Sequence, residues 1–330
     1  MDRDDKPIFI SVIIIAYRRK EFLLNALKSV INQTLDKKYY EIIVIKNFKD
    51  GIIDNFIENK TIKNILSINE SLGGKLSEAL NYASGNVISL LEDDDLFTED
   101  KLEHVYNLFK NNNKLDFYHN AHFVNSIGNI SKSYWYLISD KKNYIKFFKK
   151  FYRKGGGFNL SSMSIRKEFM LTFINSVSNI TYGVDNIILY FILDKMVMFM
   201  MDNKKLTIYR FQTSYSRNLE SYSDFAQANA QVTNLYLKSI SQLSMLMKSS
   251  ESIKLINGET TVLKLRLCIA EDRKYDNLIK NLRTILKYSW LGITSKIMLI
   301  SLYTLSRMNY SLTIKLQYYY QFHLLNIMGN

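Results

Sequence analysis

The chain has 330 residues, 47% of them apolar, a single cysteine and a formal net charge of +13. That composition belongs to a folded chain with a sizeable core, and the lone Cys268 excludes an intramolecular disulfide and a multi-cysteine zinc site. The basic excess favours anionic partners, namely phosphorylated substrates, an anionic membrane face or nucleic acid.

The start, Met1-Asp2-Arg3-Asp4-Asp5-Lys6, is charged and lacks the apolar stretch of a secretory signal, so a cytoplasmic location is expected. Pro7, the only proline, precedes a continuous β-branched run over Ile8 to Ala16, read as a buried strand. Phe22, Leu23, Ala26, Leu27, Val30 and Ile31 then follow at helical spacing. A second strand is expected over Tyr40 to Ile45, a short helix over Ile52 to Glu58 and a third strand over Asn64 to Ile68. Gly73-Gly74 opens another helix, and Val87 to Leu91 is the fourth strand. Strands alternating with helices of about a dozen residues indicate βαβ units, whose ligands bind beyond the carboxyl ends of the strands. Further strands are expected within 115–124, 160–165 and 206–211. From about residue 222 the pattern becomes helical, so a first domain over 1–220 and a helical, basic extension over 221–330 are expected.

The fourth strand ends in Glu92-Asp93-Asp94-Asp95. Four acids at one strand tip repel one another unless a positive group lies between them. Carboxylate oxygens suit a hard divalent cation, Mg²⁺ or Mn²⁺, which commonly shares its shell with substrate phosphates.

In series, these segments resemble the family 2 glycosyltransferases: Ser11-Val12-Ile13-Ile14-Ile15-Ala16-Tyr17-Arg18-Arg19, Ser29-Val30-Ile31-Asn32-Gln33-Thr34, Tyr40-Glu41-Ile42-Ile43-Val44-Ile45 and Leu91-Glu92-Asp93-Asp94-Asp95. Order and spacing match across about residues 1–215. The resemblance implies an α/β GT-A fold, a Rossmann-like mixed sheet flanked by helices, and sugar transfer with inversion from a nucleoside diphosphate donor. It sets Ala16 and Tyr17 against the nucleotide base, with Arg18 and Asn47 beside them. Backbone N–H groups at Gly73 and Gly74 and the Lys75 side chain would approach phosphate. Asp93 and Asp95 would hold the metal, with Asp94 between them on the donor side. Arg210 would face the diphosphate, although a solvated strand-end arginine explains it equally well. The family's catalytic base matches Asp185, in Thr181-Tyr182-Gly183-Val184-Asp185-Asn186. A helix start lowers a carboxylate pKa, so Asp185 is expected to be ionised at neutral pH. An ordinary N-cap is the alternative for this residue, and the upstream motifs favour the base. Lys46-Asn47 stand where many relatives carry paired aspartates, with Asp50 the next acid available. The Gln-x-x-Arg-Trp motif of processive synthases is absent, which argues for a single transfer to a glycan hydroxyl or a polyprenyl-phosphate-linked acceptor.

Gly155-Gly156-Gly157 reads either as a mobile acceptor-side loop or as a plain turn. His119 and His122, three apart on an expected strand, should point to opposite faces and serve structure. Lys141 to Lys154 interleaves bases with aromatics, and Trp290 to Met308 is apolar but broken by Lys296 and Arg307. Both are expected to lie at an anionic membrane surface, as a peripheral attachment to the inner face of the cell membrane, and no nucleic acid is expected. The other functional readings are a nucleotidyltransferase on a similar fold, for which Arg18-Arg19 lack the glycine-rich signature, and a non-catalytic basic binding protein.

Overall fold

The computed structural model describes residues 6–17, 20–124, 137–138, 142–210, 221–276 and 278–329. Two compact units divide them. The first comprises Met1–Ile188 with Met196–Arg210, and the second Leu189–Lys195 with Phe211–Asn330. The second unit therefore takes residues 189–195, which the sequence reading assigned to the first.

Among the described residues of the first unit, nine strands form one sheet. In chain order they are β1 (Ile10–Ala16), β2 (Tyr40–Lys46), β3 (Lys63–Leu66), β4 (Val87–Glu92), β5 (Leu96–Phe97), β6 (Phe117–Val124), β7 (Leu137–Ile138), β8 (Met163–Arg166) and β9 (Phe199–Tyr209). Their spatial order is β3-β2-β1-β4-β8-β6-β9-β5, with β7 also on β9. The first four are parallel to one another, whereas β8 runs antiparallel to both β4 and β6, so the sheet is mixed.

The parallel half follows directly from composition. Every residue of β1 is buried, as are the first five of β4, because helices cover both faces of a parallel sheet; their side chains are apolar except Ser11 and Ser89, whose hydroxyls are hydrogen-bonded. The helices α1 (Lys20–Ile31), α2 (Gly51–Glu58) and α3 (Leu72–Tyr82) follow their strands as the periodicity requires. The next helix, α4 (Lys101–Asn111), buries Leu102, Val105 and Phe109 on the same core as Leu23, Leu27 and Val30 of α1. The carboxyl ends of β1 and β4 lie side by side, with Ile15 opposite Glu92, which puts Tyr17 next to the acid cluster.

A helix α5 (Tyr144–Arg153) carries the basic-aromatic run. Three of its rings are turned into the core, while Phe147 and Tyr152 are half-buried. Tyr144, Phe148 and Phe151 are fully buried and meet Phe199 edge-on or tilted, with centroids 4.6–5.8 Å away. Gly156 in the following turn packs on the same cluster: a Cβ there would lie 2.3 Å from the Phe151 ring. The triple glycine is thus a close-packed turn rather than an open loop. The last two helices of this stretch are α6 (Lys167–Leu171) and α7 (Val184–Lys195).

Gly73 has a steric purpose. A Cβ at this position would sit 1.8 Å from the Val177 carbonyl oxygen, and the Gly73 N–H donates to the Ile180 carbonyl at 2.9 Å. Gly73→Ala is expected to destabilise the protein by about 3 kcal/mol, because backbone rather than a flexible side chain must move. Urea denaturation checks this against Gly51→Ala, which meets nothing within 4 Å and should change stability by no more than about 0.5 kcal/mol.

The second unit contains α8 (Tyr222–Leu243), α9 (Ser250–Ala270), α10 (Leu278–Tyr288), α11 (Ile293–Met308) and α12 (Tyr310–Gly329). Val262, Leu265, Ile269, Ile285, Leu299 and Tyr303 form its core, and Cys268 is half-buried against it. Lys296, expected on a membrane-facing helix, is instead buried and donates to the Leu286 carbonyl in the last turn of α10 at 2.9 Å. Arg307 likewise pairs with Asp272. No helix among the described residues is long and apolar enough to cross a membrane.

Candidate active site

The tip of β4 turns sharply at Asp93-Asp94, and the acid cluster gathers there. Asp93 is fully buried, and its Oδ2 accepts the Tyr17 N–H at 3.0 Å, fastening the end of β1 to the cluster. Tyr17 is 40% exposed; its hydroxyl donates to Glu70 at 2.8 Å, and the Lys75 ammonium lies 4.6 Å from its ring centroid. Half-exposed Tyr17 thus stands beside buried Ala16 at the end of β1, an aromatic side chain in reach of solvent. Arg18 lies outside the described residues.

Asp95 is 1% exposed. Its Oδ1 accepts the Arg210 N–H at 2.9 Å, while its Oδ2 is buried with no hydrogen-bond partner among the described residues. Burial first, and then the charge of Asp94, push the Asp95 carboxyl up to about 7, against the lowering effect of Ser161, the Arg210 N–H and Asn159. Glu92 is held well above the usual carboxylate range by burial and by the charges of Asp95, Asp94, Asp185 and Asp93, in that order. The influence of Asp185 on Glu92 shows that the first turn of α7 lies at the cluster, although the two are far apart in sequence.

Asp185 itself is raised to about 6. Burial outweighs the opposing N–H groups of Asn186, Asn159 and Asp185, of which the Asn186 N–H lies 2.8 Å from Oδ1. The expected direction, a lowering by the helix start, is therefore reversed. Burial outweighs the pull of the helix end.

The Gly73–Lys75 turn differs from its expected role. The Gly73 N–H is committed to Ile180, the Gly74 N–H donates to the N-capping Ser71 hydroxyl at 3.0 Å, and buried Lys75 donates to the Asn69 carbonyl. These groups shape the wall behind Tyr17 and have their protein partners already, so phosphate contact by Gly74 is not what the geometry supplies. Lys46 is also buried; it pairs with Asp54 at 2.7 Å and donates to the Phe48 carbonyl, leaving half-buried Asn47 as the polar side chain at the end of β2. The Lys46 ammonium holds the Asp54 carboxyl down to about 2 against burial. Asp50 caps α2 and pairs with Lys20 at 3.5 Å. The Arg210 guanidinium lies 5.1 Å from the Phe22 ring centroid, above α1.

Some functional neighbours escape sequence reasoning. Lys101 is wholly buried behind the acids, where its ammonium donates to the Ser161 carbonyl and to Thr207 Oγ1, and burial pulls it well below the usual lysine range. Ser161 Oγ accepts the Glu92 N–H at 2.9 Å. His119 and His122 do not face opposite ways. Register shifts in the β6–β9 pairing break the alternation, so His119 Nε2 lies 2.7 Å from the Phe158 carbonyl while the His122 ring stacks on the Phe158 ring at 4.9 Å. Burial takes His119 down to about 3, so it is neutral and structural.

Among the described residues no three carboxylates, imidazoles or thiolates converge tightly enough to cage a metal by themselves. The arrangement is an acid cluster with one buried oxygen of Asp95 that has no hydrogen-bond partner among the described residues, a half-exposed tyrosine ring at Tyr17 and a second acid at Asp185.

The model of "Glycosyl transferase family 2" matches residues 11–171. An uncharacterised glycosyltransferase of Methanocaldococcus jannaschii is 30% identical over 156 residues, covering 44% of this chain and 52% of that protein. The minor teichoic acid biosynthesis protein GgaB of Bacillus subtilis is 33% identical over 113 residues, covering 32% of this chain and 13% of that protein. The chain spans about half or less of the length of these curated relatives. Among solved structures, a mannosyltransferase of Pyrobaculum calidifontis in complex with GDP-Man and Mn²⁺ superposes with a TM-score of 0.53 at 9% identity, covering 96% of this chain and 89% of that one. At that identity the likeness is one of fold, and the fold is the GT-A type. Residues 11–171 are a glycosyl transferase family 2 domain.

Proposed function

We propose that the protein transfers one sugar from a nucleoside diphosphate donor to a hydroxyl acceptor, with inversion and with the help of Mg²⁺ or Mn²⁺. The observation that carries this reading is the convergence of Asp185 with the Glu92–Asp95 cluster. An inverting displacement needs a base at the acceptor and charge stabilisation at the leaving group, and those two functions need two acidic sites within one cleft.

The residues present fit a divalent ion. The buried Oδ2 of Asp95 has no hydrogen-bond partner among the described residues, and burial together with the neighbouring acids raises the carboxyls of Asp95 and Glu92, as suits acids that share a cation. Asp95 would hold it, with Asp93, Asp94 and Glu92 close by and diphosphate oxygens completing the shell. When bound, the ion neutralises the negative charge that develops on the leaving diphosphate. Tyr17 offers its ring to the base, Asn47 stands at the end of β2 for the ribose side, and Arg210 supplies a positive charge at the edge. Asp185 accepts the proton of the attacking hydroxyl. The relative named for teichoic acid biosynthesis supports a glycan acceptor, and the processive motif's absence supports a single transfer.

Isothermal titration and product analysis with a panel of UDP- and GDP-sugars plus Mn²⁺ test the reading. Micromolar to millimolar binding of one donor, with slow metal-dependent release of its sugar, is the expected result. The reading fails if no nucleotide sugar binds in the presence of metal.

Peripheral membrane attachment rests on the second unit, where Ile279, Ile293, Ile297 and Met308 are at least 58% exposed in a background rich in basic residues. Sedimentation with anionic and neutral vesicles at low and high salt tests it, and indifference to lipid charge would sink it.

A further inference from the structure

The acid segment is anchored at both ends, and one buried base reaches both anchors. At the near end the Glu92 N–H donates to Ser161 Oγ at 2.9 Å. At the far end Leu96-Phe97 of β5 pairs antiparallel with β9, Leu96 opposite Ile208 and Phe97 opposite Thr207. Lys101, at the start of α4, donates from its ammonium to the Ser161 carbonyl and, at 3.0 Å, to Thr207 Oγ1. The same ammonium lies 3.8 Å from the Phe97 ring centroid. Thr207 Oγ1 also accepts from the Asn120 amide at 3.0 Å and donates to the Ser161 carbonyl at 2.9 Å. Just beyond Thr207 in the chain, the Arg210 N–H holds Asp95 Oδ1.

Lys101 is wholly buried, and the groups its ammonium meets are neutral. Placing an ammonium among neutral groups away from water is costly. An apolar side chain would join α4 to β9 without that cost, so packing alone does not account for a lysine here. Two other effects do. The buried carboxylates Asp93, Asp94 and Asp95 supply a negative potential that favours a cation behind them. An ammonium also offers several donors from one atom, and so ties together chain segments that no apolar group can tie. Arg166 provides the contrast. It too is a buried base of this unit, but it lies opposite Val87 at the other end of β4 and donates to the Phe109 and Leu115 carbonyls.

Resting on the metal-assisted glycosyltransferase reading, we propose that Lys101 is a positioning residue for the divalent cation. By joining Ser161 to Thr207 it clamps the run from Glu92 to Phe97 at both ends, and so fixes where Asp93 and Asp95 present their oxygens. Lys101 touches neither the cation nor the donor; it acts through the two anchors. Outer partners that orient metal ligands are typically worth about 10- to 100-fold in metal affinity or activity. Opening the clamp should therefore appear in the affinity for Mn²⁺ as well as in turnover.

The test uses the whole chain with the nucleoside diphosphate of the donor that binds in the UDP- and GDP-sugar panel. Mn²⁺ binding is read from the electron paramagnetic resonance signal of the free ion, beside kcat and melting temperature. Lys101→Met keeps the bulk and removes the donors, and Thr207→Val keeps the shape and removes the hydroxyl. Lys101→Met is expected to raise the Kd for Mn²⁺ about tenfold and to lower kcat about tenfold, with Thr207→Val moving both about threefold in the same directions. The double variant should bind Mn²⁺ no more weakly than Lys101→Met alone, because the two side chains belong to one clamp. Arg166→Met is the control: it should lower the melting temperature yet leave the Kd for Mn²⁺ within about twofold of wild type. A merely structural Lys101 would behave like Arg166, and equal shifts in those two variants would overturn the proposal. Tighter Mn²⁺ binding by Lys101→Met would overturn it too, since Lys101 would then act only by repelling the ion. If Lys101→Met does not fold, Thr207→Val decides, and wild-type Mn²⁺ affinity and kcat in that variant would overturn the proposal. Each of these results leaves the glycosyltransferase reading intact, whereas a wild type that binds neither nucleotide nor Mn²⁺ would overturn both.

Discussion

Asp95→Asn is expected to abolish transfer, lowering kcat/KM by on the order of 10³-fold, and to weaken the response of donor binding to Mn²⁺. The substitution preserves shape and the acceptor for the Arg210 N–H, so the loss reports charge rather than collapse. It should also make the metal-free protein more stable. A carboxyl whose folded value is about 7, against an ordinary value of 3.8, binds its proton more tightly when folded. Its contribution is fully favourable below about pH 4 and is lost as pH rises through about 7. An asparagine carries no such penalty. Thermal melts without metal at pH 8 should therefore run higher for Asp95→Asn than for wild type, and donor plus Mn²⁺ should raise the wild-type melt more than the mutant's. A mutant that melts lower without metal, or that keeps its Mn²⁺ response, would show that Asp95 is an ordinary buried acid and not the ligand.

That opposition between stability and function also explains which features were legible in the chain. The central strands β1 and β4 could be read because a strand covered on both faces is almost wholly apolar, and Ile8–Ala16 and Val87–Leu91 are broken only by Ser11 and Ser89. The acid cluster could be read because a soluble fold does not place four acids at a buried strand's tip without a purpose. The misread details depend on contacts that no local pattern encodes. Gly73 resembles a phosphate-binding glycine, yet its missing side chain makes room for the Val177 carbonyl. His119 and His122 have the spacing of opposite faces, and register shifts in one strand pairing cancel that parity. Lys101 looks like a helix-start lysine in solvent, but is buried behind the cluster by elements some sixty and a hundred residues away. The aromatic face of α5 was legible as amphipathic; what the pattern did not show is that Tyr144, Phe148 and Phe151 pack on Phe199.

Asp185→Asn should lower kcat by on the order of 10³-fold while leaving donor affinity within a few-fold of wild type, because the base acts on the acceptor and does not hold the donor. The pH profile gives a sharper test. A base must be ionised to accept a proton, and Asp185, raised to about 6 by burial, is mostly ionised at pH 7 and mostly protonated at pH 5. The wild-type rate should therefore fall about tenfold for each pH unit below about 6, with a flat region above it. A base at the ordinary aspartate value would hold its rate down to about pH 4. The raised value has a use, since a carboxylate with a pKa closer to neutrality takes the acceptor proton more readily and is still largely ionised at neutral pH. The limb should be read in kcat/KM for the acceptor at saturating donor and metal, so that protonation of the Glu92–Asp95 cluster is suppressed by the bound ion. Residual activity of Asp185→Asn should lose the limb near pH 6. If the limb persists unchanged in that variant, another group is the base, and Asp185 is only the first-turn acid of α7.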